Sequence, residues 1–148
     1  PAVRARWLLH TQAEQVRLPG PTGEVWTASL KDSVMFIQPL LPAKPKVTLV
    51  GGDGHECEVN GVNYPYTGTD KYIKGRKGQK DPKPIPEYGL WRMEVEHPEP
   101  AAKRLFVVVL TAGDPGQAAP AVAARFSGGA LVVTVGPAEM MFRKVWER

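Results

Sequence analysis

Apolar residues in this chain recur at alternate positions in short runs, and nearly every run is closed by Gly, Pro or Asp. No window of a dozen residues carries a 3.6-residue period, so the chain is restricted to strands joined by tight connections. This pattern predicts an all-β fold with strands over residues 3–11, 24–30, 33–38, 46–51, 56–59, 91–97, 104–111, 121–126, 130–135 and 139–146. Lys31-Asp32, Asn60-Gly61, Gly128-Gly129 and Gly136-Pro137 supply the turn chemistry of hairpins, so sequence neighbours should pair antiparallel.

Two strands carry further information. In 91–97, Trp91, Met93 and Val95 alternate with Arg92, Glu94 and Glu96, the pattern of a strand with one dry and one wet face. In 104–111, the unbroken run Leu105-Phe106-Val107-Val108-Val109-Leu110 predicts a central strand covered on both faces. The long irregular segment 64–89 is about twice the length at which a loop calls for an explanation of its own.

The 148 residues fit one domain, 1–148, and the 15 Gly and 15 Pro are scattered as turn punctuation between apolar runs. Much of the net charge of +4 falls in 71–83, where Lys71, Lys74, Arg76, Lys77, Lys80 and Lys83 stand against two aspartates. Such a basic segment is either a solvated loop or a patch for a polyanion. Nucleic acid is disfavoured as that partner, because no recognition helix or aromatic single-strand motif accompanies the lysines. The single cysteine, Cys57, excludes an internal disulfide. No run approaches 18 apolar residues, so no membrane insertion by a helix is expected. A chain that begins at Pro1 reads as a processed or excised piece, with any export signal upstream.

The candidate chemistry is sparse. His10 follows Trp7-Leu8-Leu9 and shares a strand face with Leu8; a histidine so placed is more often a hydrogen-bonded structural residue than a metal ligand or an acid/base. In Gly51-Gly52-Asp53-Gly54-His55-Glu56 the polar trio Asp53, His55 and Glu56 could hold a cation or a sugar hydroxyl, or simply decorate a tight bend. No helix follows and no Gly-Lys-Ser/Thr ending is present, which excludes a phosphate loop. Tyr64, Tyr66, Tyr72 and Tyr88 lie in and around the basic segment, where rings beside Lys74, Arg76 and Lys77 suit stacking and pairing with an anionic sugar chain. The same segment, stiffened by Pro65, Pro82, Pro84 and Pro86, could equally strap a sheet edge. Neither a hydrolase triad nor a glycosidase carboxylate pair is visible.

From Arg4 to Leu110 the order of motifs resembles the C-terminal β-domain of heparinase II/III-like polysaccharide lyases. The resemblance rests on Trp7-Leu8-Leu9-His10, Phe36-Ile37-Gln38-Pro39-Leu40-Leu41-Pro42, Gly51 to Glu56, Val59-Asn60-Gly61-Val62-Asn63-Tyr64, Trp91-Arg92-Met93-Glu94-Val95 and the Phe106 to Leu110 strand. It implies an antiparallel distorted β-sandwich of the supersandwich type, preceded in the whole enzyme by a helical toroid, in a periplasmic or secreted protein. It implies β-elimination on a uronate-containing anionic polysaccharide such as a glycosaminoglycan or alginate, with the catalytic tyrosine and most of the groove in the toroid. No catalytic set is complete in this chain, which is expected to be inactive alone. It further implies a structural zinc for which His10 is one candidate ligand, its partners preceding Pro1. The basic segment departs from the family pattern, so the substrate-binding assignment of Tyr72, Lys74, Arg76 and Lys77 rests on charge and aromaticity alone. The alternative is a stand-alone carbohydrate-binding or interaction module without catalysis.

Overall fold

A computed structural model describes residues 4–64, 89–100 and 103–143. They form β1 (Arg6–Thr11), β2 (Gln15–Gly20), β3 (Gly23–Leu30), β4 (Ser33–Leu41), β5 (Lys46–Gly51), β6 (Glu58–Val59), β7 (Val62–Asn63), β8 (Trp91–Glu96), β9 (Val107–Gly113), β10 (Val122–Ser127), β11 (Ala130–Val135) and β12 (Ala138–Arg143). Every pairing is antiparallel and no described residue is helical, so the fold is all-β and sandwich-like.

Two sheets, ordered β1-β8-β5 and β2-β3-β4-β9, face each other. Alternation decides what they bury: Trp7 and Leu9, Val47 and Leu49, and Met93 and Val95 pack from the first sheet onto Trp26, Ala28, Met35, Ile37 and Val108 of the second, with Phe106 beside them. Ile37, Met93 and Val95 are fully buried at 0% exposure, which locates the centre of the core. On its other face the second sheet's own Val25, Val34 and Phe36 form a smaller buried cluster, with Ala119 packed against it. The connection to β10 is fastened there, since Gln38 Nε2 donates to the Pro120 carbonyl at 3.1 Å. A third sheet, β10-β11-β12, follows, and β6-β7 is a minimal hairpin.

The turns follow their sequence signals. Lys31 (φ 48°) sits in the β3–β4 turn, and Asn60 (φ 54°) and Gly61 (φ 80°) put two consecutive residues in the left-handed region, as a two-residue hairpin requires. β5 and β11 occupy the expected residues, and β8 has the expected dry face.

Three expectations are corrected. β2 was not anticipated: its short Val16/Leu18 alternation lies on the exposed face and Gln15 is the residue it buries, the inverse of a half-buried strand's pattern. The run at 104–111 is not a central strand. It begins only at Val107 and, among the described residues, lies last in its sheet and pairs with β4 alone, with Leu105 and Leu110 exposed. The strand covered on both faces is β4, where Phe36 and Ile37 point to different clusters. The strand expected over 56–59 shortens to Glu58–Val59, because Glu56 and Cys57 belong to the preceding turn.

Candidate functional site

Three segments distant in sequence meet at one end of the first sheet. The β1–β8 ladder sets His10 opposite Arg92 and Thr11 opposite Trp91, while the β5–β8 ladder sets Gly51 opposite Trp91 from the other side. Only backbone without side chains fits the closest approaches. A Cβ on Gly51 would lie 2.3 Å from the Leu90 carbonyl oxygen, and one on Gly52 would lie 3.0 Å from the Trp91 ring. Gly52 N–H donates to that same Leu90 carbonyl at 3.1 Å. Gly89 closes the other flank, where an added Cβ would stand 3.1 Å from both His10 Cβ and the Thr11 carbonyl oxygen.

The glycine-rich turn folds on itself. His55 N–H donates to the Gly52 carbonyl at 2.9 Å and Glu58 N–H to the His55 carbonyl at 3.2 Å. His55 Nδ1 lies 2.6 Å from Glu58 Oε2, and Cys57 N–H donates to Asn63 Oδ1 at 3.0 Å. The Glu56 carboxyl is held below its ordinary range, chiefly by its own backbone N–H, against partial burial, which raises it. The Gly54 N–H, the Asn63 side chain and the His55 charge lower it further. Of the trio Asp53, His55 and Glu56, the last two are thus tied into the turn, with Glu58 as a partner that the sequence did not single out.

The outward face of the first sheet is an ion-pair chain. Arg92 Nε donates to Glu94 Oε1 at 2.8 Å and Arg92 Nη2 to the Glu58 carbonyl at 2.7 Å, which locks the glycine turn to the sheet. Arg6 Nη1 donates to Glu94 Oε2 at 3.0 Å, and Arg6 Nε lies 3.3 Å from Glu96 Oε2. The side chains of Arg92 and Glu94 are only 12% exposed, so this face is far drier than alternation implies. Both guanidinium groups are paired with carboxylates. Arg6 was not anticipated as part of this site, although its place two and four residues before Leu8 and His10 puts it on their face.

His10 is exposed beside Arg92, and its strand end also borders a cavity of about 430 Å³ between the sheets, lined with Ser29, Ser33 and Thr111. Among the described residues no group of three or more His, Cys, Asp or Glu side chains is placed to hold a metal ion. A structural zinc takes about four ligands, so His10 supplies at most one and the described residues do not make a zinc site by themselves. Tyr72, Lys74, Arg76 and Lys77 lie outside the described residues. Their flanks are placed: Tyr64 N–H bonds the Cys57 carbonyl at 3.3 Å, and Gly89 abuts His10, so both flanks join the sheet end that carries His10. A second cleft, of about 510 Å³, lies at another edge and is lined in part by Trp26, Gln38, Glu24 and Lys44.

A scan against protein-family models and a search of curated proteins find no match to this chain.

Proposed function

We propose that this chain is the C-terminal β-sandwich portion of a heparinase II/III-like polysaccharide lyase acting on uronate-containing anionic polysaccharide. Support comes from one observation. The Trp-Leu-Leu-His, Gly-Gly-Asp-Gly-His-Glu and Trp-Arg-Met-Glu-Val segments, on which the sequence resemblance rests, are neighbours in the first sheet, with His10 opposite Arg92 and Gly51 opposite Trp91 where they meet. Segments that serve one site are expected to converge in this way, whereas a chance series of weak motifs has no reason to.

β-Elimination requires that the uronate carboxylate be neutralised, that the C5 proton be taken by a base and that the leaving oxygen be protonated. Arg92 is paired and largely buried, so in this reading the first requirement falls to other cations, with Lys74, Arg76 and Lys77 the candidates that the sequence offers. The toroid, on the same precursor or a companion chain, supplies the catalytic tyrosine, and this domain buttresses it through the His10 end of the first sheet. A structural zinc belongs to this reading only with donors from outside the described residues.

The expected result for the 148-residue chain incubated with a panel of uronate polysaccharides is no unsaturated product, while neutralising Lys74, Arg76 and Lys77 together lowers its affinity for those chains and flattens the salt dependence. Unsaturated product from the chain alone would overturn the division of labour. Binding unaltered by the triple neutralisation would remove the basic segment from the substrate path.

A further inference from the structure

Among the outer strands of the described residues, β12 is the one that exposes three consecutive large apolar side chains. Arg6 interrupts β1, Pro19 and Arg17 β2, Lys46 β5 and Arg125 β10, while the uncharged β9 exposes only Leu110 among its large apolar residues. β12 pairs only with β11 among the described residues, and its central side chains are apolar on both faces and open to solvent, with Met140 44%, Met141 56% and Phe142 54% exposed. Its only charges are Glu139 and Arg143, placed two residues to either side of Met141.

That spacing makes the strand complementary to itself. We propose that β12 pairs antiparallel with β12 of a second copy of this chain, about a two-fold axis through Met141. Residues directly opposite in an antiparallel pair share a face. In this register Glu139 of each copy stands opposite Arg143 of the other, Met141 meets Met141, and Met140 meets Phe142. The β10–β11–β12 ladders already align Phe126, Leu131 and Phe142 in one row across the sheet. Pairing continues that row into Met140, Val133 and Ala124 of the second copy and joins two three-stranded sheets into one of six strands. Such an interface is isologous and closed, so it stops at a dimer. Glu139 already touches Arg125 at 3.0 Å, but both side chains are about half exposed, so that pair is weak and leaves Glu139 available.

The test is the solution mass of the full chain by sedimentation equilibrium. The wild type is expected to approach twice 16.2 kDa as its concentration rises. Glu139→Arg sets arginine against Arg143 at both ends of the interface, and Arg143→Glu sets glutamate against Glu139. Each variant alone is expected to lose about tenfold or more in self-association. An equimolar mixture brings the two arginines of one variant opposite the two glutamates of the other, and the dimer returns, which also shows that both variants are folded. A wild type that stays monomeric, a dimer indifferent to either variant, or a mixture that fails to reassociate would each overturn the proposal.

Discussion

Replacing Gly51 with alanine is expected to cost about 3 kcal/mol and to lower the melting temperature by about 10 °C for a chain of this size. Gly51 has φ 146° and an added Cβ would lie 2.3 Å from the Leu90 carbonyl oxygen and 2.7 Å from Trp91 Cα. The obstruction is backbone on both sides, so no side-chain rotation relieves it. The strand β8 would have to move away from β5 at the position where the glycine turn meets the sheet. Gly54 is the internal control, because it too has a positive φ, 79°, yet nothing lies within 4 Å of its Cβ position. Gly54→Ala should therefore show only the conformational penalty, about 1 kcal/mol. Urea unfolding of the two variants measures the difference, and equal losses would mean that the close approach to Leu90 is not what requires a glycine at position 51.

Met93→Ala is expected to be similarly severe, at about 3 kcal/mol. Met93 is completely buried in the middle of the first sheet, opposite Leu9 on one side and Leu49 on the other, and it packs in the cluster that contains Ile37. Truncation removes apolar transfer energy and leaves a cavity that two flanking ladders prevent from collapsing. A domain has only about 5–15 kcal/mol of stability in total, so this one change removes a large share of it. Met141→Ala, on the exposed outer strand, should cost less than about 0.5 kcal/mol in the monomer. Thermal unfolding of the pair decides whether the core is centred where the two sheets face each other. A mild Met93 variant would argue that the first and second sheets do not form one packed unit.

What could be read from the residues was the local physics. Asn60-Gly61 announced its turn because asparagine and glycine accept the positive φ it needs, and Lys31-Asp32 announced its own as a polar break between two apolar runs. β8 announced its dry face because Met93 and Val95 alternate with charges. β2 was illegible for the converse reason: it buries Gln15, whose amide donates to Thr11 Oγ1, and exposes Val16 and Leu18. The apolar run near Leu105 misled because apolarity on both faces does not say which sheet position a strand takes. It lies at the edge, and the doubly covered place belongs to β4. The candidate site was half legible. His10 and the glycine turn stand out as local oddities, but their meeting depends on β1 pairing with a strand more than 80 residues away, as the Arg6–Glu94 bond at |i−j| 88 records. The bond from Arg92 to the Glu58 carbonyl likewise follows from long-range pairing, which no single segment specifies, whereas Arg92 and Glu94 are same-face neighbours on β8.

The central claim is that this sandwich works beside a helical toroid, and the most direct test is the mass of the native protein that carries the chain, together with whatever co-purifies with it. The account predicts a mass several times 16.2 kDa, or a tightly associated helical chain, with His10 protected at the contact. A native chain near 16.2 kDa with no helical companion would contradict it and would leave a stand-alone carbohydrate-binding module as the reading to pursue.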